Sequence, residues 1–69
     1  MLTADQLAQS ASRILSDPAF MAAVEELDDG YVQEWRTADT VGEREAAFHK
    51  QNALDELLRQ LNTIISRGT

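Results

Sequence analysis

The sequence predicts an all-α fold: an antiparallel helical hairpin with a short N-terminal helix, three helices in one domain over residues 1–69. Three observations predict it. Apolar residues recur at helical spacing in three separate stretches. Each stretch opens on a residue pattern suited to capping a helix N-terminus. The connections between them, Asp17-Pro18 and Thr37-Ala38-Asp39-Thr40, are too short for anything but tight breaks.

The first helix, about 4–15, opens at Thr3 with Gln6 three residues on, the pattern of a capping box. Leu7, Ala11, Ile14 and Leu15 then repeat at helical spacing. Pro18 disfavours helical geometry at Asp17, which ends this helix. The same dipeptide starts the next one, with Asp17 as N-cap and Pro18 at the first helical position.

The second helix is expected over about 18–36. Phe20, Val24, Leu27, Tyr31 and Trp35 fall on one stripe, and Met21 and Val32 widen it on one side. Gly30 costs about 1 kcal/mol relative to Ala in a helix interior. The stripe keeps its phase on both sides of Gly30, so the helix is expected to run through it. Trp35 follows the core stripe, but its place beside the turn also suits a half-exposed interface residue.

The third helix, about 41–67, opens on Thr40 with Glu43 as a second capping box and ends at Gly68. Ala47, Leu54, Leu57, Leu58, Leu61, Ile64 and Ile65 form its apolar face, and Leu54, Leu58, Leu61 and Ile65 are expected to hold a bundle seam. The short turn makes the second and third helices antiparallel neighbours. A turn centred near Ala38 and Asp39 sets Tyr31 opposite Ala47 and Val24 opposite Leu54. It also sets Asp28 opposite Lys50, each a charge inside an apolar arc. A partly buried Asp28–Lys50 ion pair that fixes register is therefore expected. The third helix outruns the second, and the first helix is expected to cover the overhang.

Composition narrows the function. Hydrophobic content of 43% with 26% charged residues is that of a globular chain. There is no Cys, and His49 is the one His, so no zinc site, disulfide or other metal or cofactor site is expected. No glycine-rich phosphate loop or nucleophile motif occurs, which argues against an enzyme. His49 beside Lys50 reads as a solvated residue. No apolar run approaches the ~20 residues of a membrane span, and the first residues lack a secretory pattern. A cytoplasmic protein is expected.

The net charge is −6, and its excess lies entirely in 17–39, where Asp17, Glu25, Glu26, Asp28, Asp29, Glu34 and Asp39 face only Arg36. That distribution argues against direct nucleic-acid binding, which draws affinity from cations neutralising phosphates. Glu25, Glu26 and Asp29 form either a solvated face or a docking surface for a basic protein, with nucleic-acid mimicry as its strongest form. Phe48 points away from the main face of the third helix, and Met21 and Val32 edge the second; these suit a second interface. A chain this small, without disulfide or metal, gains stability by oligomerising. A homo-oligomer, a dimer first, is expected.

Glu34-Trp35-Arg36, Glu43-Arg44-Glu45-Ala46-Ala47-Phe48-His49-Lys50 and Ala53-Leu54-Asp55-Glu56-Leu57, together with Asp17-Pro18-Ala19-Phe20, resemble a pattern in small helical bacteriophage and prophage proteins. Those proteins are encoded among head or packaging genes. The resemblance covers roughly 17–66 and implies a phage context without a site. Together these readings anticipate a non-enzymatic accessory protein that acts by protein–protein association in head assembly or DNA packaging. The alternative is a small acidic inhibitor of a host protein.

Overall fold

The computed structural model, described over residues 1–68, contains three helices: α1 (Ala4–Ser16), α2 (Pro18–Thr37) and α3 (Val41–Arg67). Local chemistry sets each boundary. Thr3 accepts from the Gln6 amide at 3.1 Å, and the Gln6 side chain accepts from the Thr3 amide at 2.9 Å, so the reciprocal capping box forms. Asp17 accepts from the Phe20 amide at 2.9 Å, with Pro18 in the first turn of α2. Thr40 accepts from the Glu43 amide at 3.1 Å. The Glu43 carboxylate, however, reaches past Thr40 to the Asp39 amide at 2.9 Å, so this second box is not reciprocal. α1 and α2 each run one residue further than expected, to Ser16 and Thr37. Gly30 leaves α2 unbroken.

α2 and α3 pack on each other as a hairpin closed by Ala38–Thr40, and α1 packs on α3 with little contact to α2. α3, at 27 residues, is about 40 Å long by helical rise. It backs two shorter helices set one after the other, so three helices make only two layers. α1 covers the overhang of α3, as expected. The residues that do so match expectation in part: Ala11 and Leu15 were expected, Ala8 was not, and Leu7 and Ile14 play less part than expected. Ala8 and Ala11 are buried and Leu15 half-buried, whereas the larger Leu7 and Ile14 stand at the flank, about two-fifths exposed. Small residues win the seam because they let the two backbones approach closely. Gly68 shows the same closeness from the other side. It caps α3 in right-handed geometry (φ −89°, ψ −2°), so no special backbone conformation requires glycine. A Cβ there would instead overlap the Ala8 Cβ and lie 2.9 Å from the Ala4 carbonyl oxygen.

The molecule measures 47 × 21 × 18 Å. Its radius of gyration is 15.1 Å, against about 11 Å for a compact chain of this length. Among the described residues the buried apolar set is Ala8, Ala11, Val24 and Ala47, and no large side chain is fully buried. Leu54, Leu58, Leu61 and Ile65 are in the seam but only half-buried.

One sequence expectation fails here. Asp28 does not pair with Lys50. Asp28 accepts from the Gln51 amide at 3.0 Å, and Lys50 instead bridges Glu34 at 3.1 Å. Gln51, the next residue along α3, takes the place expected for Lys50. One residue is a 100° rotation on a helix, which carries Lys50 to the opposite side of the hairpin from Asp28. Of its two expected places, core or beside the turn, Trp35 takes the second: it is 50% exposed, where α3 has only begun.

Candidate functional site

The axes of α2 and α3 define a plane with a face on either side, and the two faces differ. On the first, Val32 and Trp35 stand one turn apart on α2, and Phe48 and Gln51 one turn apart on α3. Spacing of i, i+3 aligns each pair on its helix. The four line a groove of about 360 Å³, open to solvent. Phe48 is 53% exposed there, close to the value for Trp35. The groove is bordered by polar groups in fixed places. Asp28 and Gln51 are joined by their hydrogen bond at one end. At the other, the Arg44 guanidinium lies 6.0 Å from the centre of the Trp35 ring, within cation–π range.

The second face has a recess of about 310 Å³ near the turn, lined by Glu34, Thr37, Ala38, Glu43, Ala46 and Lys50. Both carboxylates in it are engaged, Glu34 with Lys50 and Glu43 with the Asp39 amide. The Lys50 ammonium also sits 6.0 Å from the Tyr31 ring. Both partners of the ion pair are about half exposed, so solvent screens it and it adds little stability. Two turns further along the same face from Glu34 and Lys50 come Leu27 and Leu57, 47% and 51% exposed.

Glu25, Glu26 and Asp29 are exposed on α2 and line neither recess, and among the described residues they make no ion pair. Of the four residues expected to bind a partner, Phe48 lines the groove and the three carboxylates do not.

No family model, curated protein or solved structure matches the chain.

The surfaces themselves define what the arrangement can do. Among the described residues, no three His or acidic groups lie close enough together to hold a metal ion. No described helix is long and apolar enough to cross a membrane. His49 is exposed, with its ring 6.0 Å from that of Phe48. The described surface carries an apolar, aromatic groove on one face and a run of exposed carboxylates on α2. Sequence reading missed Arg44 and Gln51 as members of the groove. Their signal was present, since each stands one turn from Phe48, at i−4 and i+3.

Proposed function

We propose that this chain is a non-enzymatic accessory protein that acts by associating with protein surfaces, first with copies of itself. One observation carries the reading: the residues buried within the chain are small, while Trp35, Phe48, Leu27 and Leu57 lie half in water. The chain exposes 5196 Å², whereas a compact monomer of this mass exposes about 4300 Å². The surplus, about 900 Å², is close to the ~800 Å² that each partner contributes to a standard interface. A cytoplasmic setting in phage head assembly or DNA packaging rests on the sequence resemblance over residues 17–66.

Light scattering across a dilution series tests the reading. Molar mass should fall towards the monomer value only on dilution. A monomer at every concentration would remove the basis for self-association. The exposed acidic stretch supports a second reading, an inhibitor that docks on a basic protein. That reading requires a defined complex with a single protein, weakened by salt and by neutralising Glu25, Glu26 and Asp29.

A further inference from the structure

We propose that the groove face is where two copies of this chain meet, as an antiparallel, two-fold dimer centred on Phe48 and Gln51. The inference rests on the self-association reading and adds which face is used, and in what orientation.

The choice of face comes from side-chain chemistry. Exposed Trp and Phe together, with half-buried Val32 beside them, make the aromatic centre typical of a contact patch. The opposite face offers Leu27 and Leu57, but carries the Glu34–Lys50 pair and the carboxylate of Glu43 near the turn.

The orientation comes from charge. Consider a two-fold axis across the groove face, perpendicular to the helices and level with the midpoint of Phe48 and Gln51. It lays α3 antiparallel on α3 of the second copy, with residues 41–58 of each overlapping over about 27 Å. Phe48 of one copy is then level with Gln51 in the groove of the other. Arg44 becomes level with Asp55 of the second copy, twice over by symmetry. An axis parallel to the helices would instead lay α2 on α3 of the second copy without changing level. That arrangement sets Arg44 level with Trp35 of the second copy and leaves it without an acid. The antiparallel arrangement yields opposite charges at both ends of an aromatic centre. The result is a four-helix bundle.

Sedimentation of four single variants and one double variant tests this, with circular dichroism confirming that each stays helical. Phe48→Glu should raise the dimer dissociation constant by on the order of tenfold or more, as expected for the centre of a patch. Leu27→Glu, on the other face, should leave the dimer intact. Arg44→Glu and Asp55→Arg should each weaken it, and the two together should restore it to near the wild-type constant. All four positions are exposed, so folding tolerates them; should Phe48→Glu unfold, the charge swap still decides. A wild-type dimer that Leu27→Glu dissociates and Phe48→Glu does not would overturn the face while leaving self-association standing. A charge swap that fails to restore what the single changes lost would overturn the orientation. A wild-type chain that is monomeric throughout would remove the underlying reading.

Discussion

Substituting Gly68 by Ala tests how α1 is held. The backbone at 68 is right-handed, so alanine is conformationally acceptable there. Elsewhere such a change would stabilise by about 0.4–1 kcal/mol through the unfolded chain. Here the added Cβ would overlap the Ala8 Cβ, approach the Ala4 carbonyl oxygen to 2.9 Å and the Asp5 Cα to 3.4 Å. None of these is the end of a flexible side chain, so α1 must move or the last turn must open. Moving α1 is overpacking, at about 1–3 kcal/mol. Opening the turn gives up the hydrogen bond from the Gly68 amide to the Ile65 carbonyl, roughly 1 kcal/mol. Net of the unfolded-chain gain, the loss should be about 0.5–2 kcal/mol. At about 4–8 °C per kcal/mol for a domain of this size, Tm should fall by several degrees. Thermal unfolding followed by circular dichroism measures it, at one protein concentration because association shifts apparent stability. A Gly68→Ala chain as stable as wild type, or more so, would mean that α1 is not docked against the end of α3.

Other consequences are open to measurement. Gly30→Ala, where a Cβ meets nothing within 4 Å, should stabilise α2 by about 0.5–1 kcal/mol and raise Tm; a fall would show that something approaches that backbone closely. Double-mutant cycles to alanine should find a coupling near 1 kcal/mol between Asp28 and Gln51, and none beyond about 0.5 kcal/mol between Asp28 and Lys50. The reverse ranking would restore the register expected from sequence. Trp35 is the single tryptophan, so its emission reports on the groove face. It should shift to longer wavelength as the protein is diluted, and a constant spectrum through a mass change would place the contact elsewhere.

The helix boundaries were legible because each rests on local chemistry: Thr3 with Gln6, Asp17 with Pro18, Thr40 ahead of Glu43. Each is a hydrogen bond or a φ restriction spanning four residues or fewer. The register was not legible to one residue. It depends on how Ala38–Thr40 closes, and a single-residue offset sends Lys50 to one face and Asp28 to the other. Nor did side-chain size identify the α1 seam. Ranking by hydrophobicity favours Leu7 and Ile14, while the distance between the backbones favours Ala8 and Ala11, with Gly68 opposite. Phe48 was legible as a residue outside the main stripe. Its partnership with Trp35 was not, because that depends on the register between two helices. The acidic stretch was visible as composition, but that it stays out of the groove lined by Phe48 needed the packed hairpin.

The most direct measurement is a nuclear Overhauser experiment on a mixture of isotope-labelled and unlabelled chains, filtered for contacts between copies. The two-fold dimer predicts contacts from the Phe48 ring of one copy to Gln51 and Val32 of the other. Contacts between copies confined to Leu27 and Leu57, or none at concentrations where the mass is that of a dimer, would contradict it.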